Sequence, residues 1–372
     1  MKNDLIDLLA CPACQTSPLE IQVRSRRAEE ITEADLTCSR CGRSYPVKDG
    51  IPVMLTNLDE QPSSQVDNQK GGKDIDQKPN KMHKEVREAN IAYYDAVAEV
   101  YEDEVEQAIH QSDSNQKRVD EIIKGLSEKT QKGLFLDLGC GTGNVLKLGN
   151  KHFKRAIGVD ISFNMLKGAR QNNLEVIQAD TLSLPFKSSL FNTVSIFSVL
   201  HHLYDYLQIF KQINRVLKSD GYLYSDWDPT KQPVIDERKI SWWIYRIYRR
   251  LYRYLPPPLK LTEQTTEFDT RGGDIQKAPI DFLKMRPDLK EIRVKAEFHE
   301  QKKGAERGID VDKLKGSLMK NGFSNIQPTF HWHGKSINQL SLPLRRRFSF
   351  LKFQDYPVER FMENIMIVAQ KK

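Results

Sequence analysis

The 372-residue chain has no run of eighteen apolar residues, which leaves no segment able to cross a membrane as a helix. Its opening residues, Met1-Lys2-Asn3-Asp4, lack the apolar core of a secretory signal, and the expectation is a cytoplasmic protein. No internal repeat is visible, which argues against a solenoid. Cysteine is scarce: there are five, four of them in two Cys-x-x-Cys pairs. An excess of positive charge is missing from the first 230 residues, which carry 28 Lys+Arg against 33 Asp+Glu. Residues 231–372 carry 29 against 17, a net of +12, so the overall charge of +7 belongs to the C-terminal part. A chain of this length holds one full domain with additions.

Also absent is the Gly-x-Gly-x-x-Gly spacing that seats a dinucleotide pyrophosphate. In its place, Phe135-Leu136-Asp137-Leu138-Gly139-Cys140-Gly141-Thr142-Gly143 sets three glycines at alternate positions, two residues after an acid. Cys140 sits inside that turn, where a small apolar residue fits. Ala156–Val159 is a second apolar run ending on an acid, Asp160, and Leu174–Ala179 reads as a third strand, ending on Asp180. Strand, glycine turn, helix and strand build a nucleoside pocket at the strand tips. The glycines let backbone lie against a ligand, and a carboxylate at the second tip can accept both ribose hydroxyls.

This set resembles the class I S-adenosylmethionine-dependent methyltransferases, in register over roughly residues 90–230. Ser162, Met165, Leu166 and Ala169 match the family's helix after the second strand, and Leu184-Pro185-Phe186 its turn after the third. Phe191–Val199 matches the fourth strand and Arg215–Gly221 the approach to the fifth. The resemblance implies S-adenosylmethionine as cofactor, with Tyr94, Asp137, Gly139, Gly141, Asp160, Ile161, Asp180, Thr181 and Phe197 around it. Asp137 would meet the ammonium, Asp160 the ribose, and Asp180 with Thr181 the adenine. Tyr93, Tyr94 and Tyr101 lie on a helix-like segment running to Ile109, either capping the methionine end or serving as packing aromatics. The fold expected is α/β, a doubly wound, seven-stranded, mostly parallel, Rossmann-like sheet behind a small zinc ribbon.

Cys11-Pro12-Ala13-Cys14 and Cys38-Ser39-Arg40-Cys41 bracket 23 residues. Two such knuckles give a closed tetrahedral four-sulfur zinc site, structural and not catalytic. Disulfide and redox readings compete, but a cytoplasmic chain disfavours the first and the doubled motif the second. Leu19–Val23 and Leu36–Thr37 can form short strands between the knuckles. With Tyr45–Leu55 the segment resembles the small zinc-ribbon subunits that activate certain tRNA and protein methyltransferases, here fused to the enzyme. The division expected is a ribbon over 1–56, a polar linker over 57–83 and a methyltransferase domain over 84–372. That linker predicts that losing the ribbon leaves cofactor binding largely intact.

On the acceptor side, the fourth strand leads to His201-His202 and the fifth, Tyr222–Ser225, to Asp226. His201 is the candidate general base and Asp226 its orienter or a second base; a histidine there can equally cap the following helix. The Asn/Asp-Pro-Pro-aromatic tetrad of amide and adenine N-methyltransferases is missing: Phe197-Ser198-Val199-Leu200 stands instead. Hydroxyl, amine and carbon acceptors stay open. A helix over Val311–Asn321, a sixth strand over Ile326–Trp332 and a last strand over Asn364–Ala369 complete the core, with insertions near 229–308 and 334–358. In the first, residues 240–255 place Ile240, Ile244, Ile247, Tyr248, Leu251 and Leu255 on one helical face, and Arg246, Arg249, Arg250 and Arg253 on the other. Core packing, a membrane surface, a lid over a lipid-like acceptor and nucleic-acid binding all fit such a pattern, nucleic acid least. Leu344–Phe353 repeats the basic-aromatic character. Overall, the sequence predicts methyl transfer to a small-molecule or lipid-like acceptor, with peripheral membrane contact through 240–255. The alternative is an RNA or protein methyltransferase with a built-in ribbon activator.

Overall fold

Alternation decides the N-terminal sheet. In Ser44–Lys48, Tyr45 and Val47 are buried while Ser44 and Lys48 face water; in Glu30–Thr37, Ile31, Ala34 and Leu36 turn inward. The resulting strands β1 (Glu20–Arg27), β2 (Glu30–Thr37), β3 (Ser44–Lys48) and β4 (Ile51–Pro52) form an antiparallel sheet in sequence order. The computed structural model describes residues 1–56, 78–101, 113–231, 288–296, 298, 308–332, 335–336 and 364–372. The expected helix over 240–255, the basic stretch 344–353, residues 57–77 of the linker and residues 102–109 of the tyrosine segment lie outside them.

Helices α1 (Lys78–Tyr101) and α2 (Asp113–Lys129) precede a sheet built from β5 (Leu134–Leu138), β6 (Arg155–Asp160), β7 (Val176–Gln178), β8 (Phe191–Phe197), β9 (Leu217–Pro229), β10 (Phe323–Trp332), β11 (Lys335–Ser336) and β12 (Asn364–Lys371). Residues 78–83, assigned to the linker by composition, are helical. The order is β11-β10-β12-β9-β8-β5-β6-β7. Strands β5 to β9 pair in parallel, and β12 runs against both its neighbours. The seven expected strands are present, and a two-residue eighth, β11, folds back on β10. The connecting helices are α3 (Asn144–His152), α4 (Phe163–Gln171), α5 (Ile209–Val216), α6 (Asp288–Ala296) and α7 (Val311–Lys320). Chain order reverses between β5 and β8, which opens a crevice at their C-terminal tips.

The ribbon is not a separate unit. Leu9 bridges Phe186, with Ala10 N–H donating to Pro185 O at 3.0 Å and Lys187 N–H to Leu8 O at 3.0 Å. Val53 bridges Gln178 on β7, and Met54 N–H donates to Gln178 O at 2.7 Å. Leu5, Leu9, Leu36, Val47 and Met54 share one buried cluster with Ile177, Leu184 and Phe186. This corrects the expectation of a ribbon isolated by its linker: the connection is polar, but the surfaces it joins are apolar and mutually buried.

One arginine ties the two parts electrostatically. Arg155 forks onto Glu175 at 2.8 Å twice, and onto Asp4 of the ribbon at 3.0 Å twice. The Glu175 side chain is 7% exposed and that of Asp4 67%, so the partners differ in worth. Arg155→Ala strands a buried carboxylate and is expected to cost about 3 kcal/mol, lowering Tm by on the order of 10 °C. Asp4→Ala is expected to cost under about 1 kcal/mol. Paired thermal melts check both; equal losses would refute the distinction.

Candidate functional site

The crevice holds a cavity of about 400 Å³, within the size range of small-molecule sites. Asp137, Gly139, Gly141, Asp160, Ile161, Asp180, Thr181, Phe197 and Tyr94, the nine residues expected around the cofactor, all line it. The turn after β5 needs its glycines for different reasons. Gly139 has φ +67° and a Cβ there would lie 2.3 Å from Val199 Cγ2; Gly141 has φ +53° and nothing within 4 Å, so it opens the floor to a ligand.

Asp160 is held from behind. Gly141 N–H donates to Oδ2 at 2.8 Å and Ser162 N–H to Oδ1 at 2.8 Å. Ser162 also caps α4, its Oγ accepting from Met165 N–H at 3.2 Å and donating to Asp95 Oδ1 of α1 at 2.6 Å. Asp95 therefore clips the helix over the site. Asp180 accepts from Leu182 N–H at 2.9 Å, and Arg87 Nε lies 3.1 Å from its other oxygen.

Burial pushes the Asp137 carboxyl up to about 7; a hydrogen bond from Ser195 Oγ at 2.6 Å opposes the shift and the Asp160 charge adds to it. Burial also raises Asp160, against the backbone donors. Two crowded carboxyls of this kind seek a cation. A bound ammonium favours ionised Asp137, so ligand binding releases a proton below about pH 7. Affinity for S-adenosylhomocysteine is expected to fall about tenfold per unit as pH drops below that point and to level off above it. The sign for the ligand-free protein is opposite: a carboxyl whose folded pKa is raised contributes stability at low pH that is lost as pH rises towards 7. Calorimetry across this range checks the first, and Asp137→Asn should flatten it; an unchanged slope in that variant would rule Asp137 out.

The two catalytic candidates are placed elsewhere. His201 is buried and its Nδ1 sits 2.8 Å from Asp228 Oδ1. Asp226 is fully buried, accepting from Tyr224 Oη at 2.6 Å and pairing with Arg118 at 2.8 Å. Neither is among the cavity-lining residues; His202 is. The correction has a simple cause. Leu200–His202 is a turn of 3-10 helix, where successive residues point about 120° apart, so of two histidines whose rings lie 3.9 Å apart only His202 reaches the cavity. Beyond the expected set, the cavity is lined by His83, Arg87, Asn90, Asn115, Gln116, Asn144, Lys147 and Tyr204. For Val86, Asn90 and Tyr94 the signal was present: an i, i+4 stripe on α1.

S-adenosylmethionine fits these residues. The Asp160 carboxylate is pre-aimed, Gly141 leaves room against the backbone, and the Asn144 side-chain NH₂, buried at the start of α3 and lining the cavity, has no hydrogen-bond partner among the described residues. Zinc fits the ribbon. Cys11 and Cys41 sulfurs lie 3.6 Å apart, Cys14 and Cys38 3.5 Å, and all four within 4.8 Å of one another. A tetrahedron of zinc–sulfur bonds near 2.3 Å sets its sulfurs about 3.8 Å apart. Tyr45 Oη, 3.2 Å from Cys11 Sγ, supplies an outer contact.

Comparison with known proteins agrees. Residues 136–225 match the family described as Methyltransferase domain, and residues 2–50 that described as Trm112p-like protein. The chain is 30% identical over 239 residues to the uncharacterized protein MJ1252 of Methanocaldococcus jannaschii, covering 63% of this chain and 75% of that one. It is 38% identical over 96 residues to demethylmenaquinone methyltransferase of Staphylococcus saprophyticus, 24% of this chain and 41% of the other. To a probable tRNA methyltransferase 9B of Bos taurus it is 31% identical over 115 residues, 30% of this chain and 25% of the other. Thus it spans less than half the length of either. Phosphoethanolamine N-methyltransferase 2 of Haemonchus contortus, solved with S-adenosylhomocysteine, aligns with a TM-score of 0.45 and 15% identity over 78% of this chain and 60% of that one. The chain belongs to the S-adenosylmethionine-dependent methyltransferases and carries its own Trm112p-like zinc ribbon.

Proposed function

We propose that the enzyme methylates a small aromatic or lipid-like acceptor at oxygen, nitrogen or carbon. One observation carries this reading: among the polar groups that line the cavity away from the three acids stand Val86, Tyr94, Tyr101, Phe197, Leu203 and Tyr204. Such a wall suits a flat or apolar acceptor. Among the described residues its lysine and arginine complement is Lys147 and Arg87, and Arg87 already faces Asp180, a poor match for a phosphate-rich strand. The likeness to the menaquinone enzyme supports the same class. The sulfonium of the cofactor supplies an activated methyl carbon, so the protein's task is alignment and proton removal. Contact of residues 240–255 with anionic lipid belongs to this proposal.

A second reading, an RNA or protein modifier with a built-in activator, draws support from the Trm112p-like match, the tRNA-enzyme relative and the +12 half. Labelled S-adenosylmethionine offered with a dihydroxynaphthalene, with lipid extract, with unmodified tRNA and with a soluble protein fraction separates the two. Label in the organic phase is the expected result. Label confined to tRNA or protein rejects the first reading.

A further inference from the structure

The ribbon sheet ends differently on its two sides. On one, Val53 and Met54, just after β4, join β7 of the larger sheet. On the other stands β1, first in the order β1-β2-β3-β4, with no strand beyond it among the described residues. All eight of its residues are exposed. The open edge is bounded at both ends. Pro18 precedes it and has no N–H to donate. After Val23 the pairing with β2 turns irregular: Val23 faces Ala34 and Ser25 faces Glu33, which leaves Arg24 over in a bulge. Between these limits Glu20–Arg24 is a plain template, long enough to pair with another strand.

The register with β2 sorts its side chains onto two faces. Ile21 lies across from Leu36 and Val23 from Ala34, both fully buried, so the apolar face of the ribbon runs out to its rim. There Ile21 is 37% and Val23 36% exposed. Glu20 and Gln22 take the other face, across from Thr37 and Asp35. Arg24 joins them, its Nε 3.4 Å from Asp35 Oδ2 and its side chain still half exposed. The strand therefore carries an apolar pair on one face, and an acid and a base four residues apart on the other.

We propose that β1 is the contact strand of a homodimer, in which a second copy of this chain pairs with it antiparallel about a two-fold axis through Gln22. A two-fold contact must be self-complementary, and this strand is so at that register. With Gln22 opposite its own copy, Ile21 stands against Val23 of the second copy and Glu20 against its Arg24, and the same pairs recur beyond the axis. Apolar pairs gather on one face and ion pairs on the other, and both kinds stabilise an antiparallel ladder. A slip of one residue sets Ile21 against Gln22 or Arg24 and loses the ion pairs. The two ribbon sheets become one continuous sheet, with a methyltransferase sheet at each outer end.

Sedimentation velocity on the zinc-loaded full chain tests this. A short edge makes a small interface, so the dimer should dissociate on dilution through the micromolar range, from about 100 µM downward. Ile21→Asp should be monomeric throughout, with zinc content and S-adenosylhomocysteine affinity as in wild type. Glu20→Arg and Arg24→Glu each set like charges across the axis and should be monomeric alone; mixed in equal amounts they set opposite charges there and should dimerise with one another. Gln22→Cys should cross-link under mild oxidation, because facing residues of an antiparallel pair have Cα atoms about 4.5–5.5 Å apart, within disulfide range. Glu20→Cys, off the axis, should not. Should Ile21→Asp lose its zinc, the cross-link decides. A wild type that stays monomeric at about 100 µM overturns the proposal. So does a dimer that survives Ile21→Asp with its zinc in place, or one that Gln22→Cys fails to cross-link, since its contact would lie on another surface.

Discussion

Replacing Cys11 or Cys38 by serine is expected to remove the zinc and, with it, most of the affinity for S-adenosylmethionine. The first part follows from size. About 55 residues bury too little to hold a fold unaided, and structural zinc supplies an apparent 10–16 kcal/mol, on the order of the whole stability of such a unit. The second part follows from where the ribbon sits. Asp180 and Thr181 line the cavity, and the segment after them is anchored by the ribbon: Ser183 Oγ donates to Pro12 O at 2.8 Å, Gln15 reaches Leu184 O, and Leu9 bridges Phe186. Pro12 lies inside the first knuckle, and its partner Ser183 stands two positions after the cavity-lining Thr181. Metal analysis should give one zinc per wild-type chain and none in the variants, and calorimetry should show affinity for S-adenosylhomocysteine falling by more than about tenfold, the equivalent of 1.4 kcal/mol. A metal-free variant that binds as tightly as wild type would show that the two parts are energetically independent.

Asp160→Ala should leave the fold nearly as stable and abolish cofactor binding. The carboxylate is buried, raised in pKa, and repels Asp137. Removing it loses hydrogen bonds from Gly141 and Ser162 but also removes a buried charge, and the two effects oppose one another. A ligand, by contrast, loses two charge-assisted hydrogen bonds at about 1.5–3 kcal/mol each, a hundredfold or more in Kd. Melting temperature and titration should therefore diverge in this variant. Undiminished binding would place the ribose elsewhere.

The three acids were legible because each sits at or just beyond the C-terminal end of a strand-like segment, and strand tips of a parallel sheet converge on one edge. Asp137, Asp160 and Asp180 all reach the cavity for that reason. The zinc knuckles were legible because their geometry is local: four residues per turn, twice. His202 was not, since sequence order says nothing of facing within a turn of 3-10 helix. The ribbon's docking was not either. Its contacts pair Leu9 with Phe186, Pro12 with Ser183 and Val53 with Gln178, separations at which no periodicity survives, and a polar linker argued the other way. Nor could the sequence show that Ala296, at the end of a long insertion, returns to touch His202.

The contact between Val53–Met54 and Gln178 has a consequence for solubility. Strand β7 is the last of its sheet, and a terminal strand with open N–H and C=O groups is a template for pairing with another molecule. The ribbon occupies that edge and covers Ile177 and Phe186 with its own apolar residues. A chain beginning at α1 would present a bare strand flanked by buried-type side chains to every other copy in solution. It should therefore precipitate or self-associate on expression, and the N-terminal module would count as much as a shield against aggregation as a part of the enzyme.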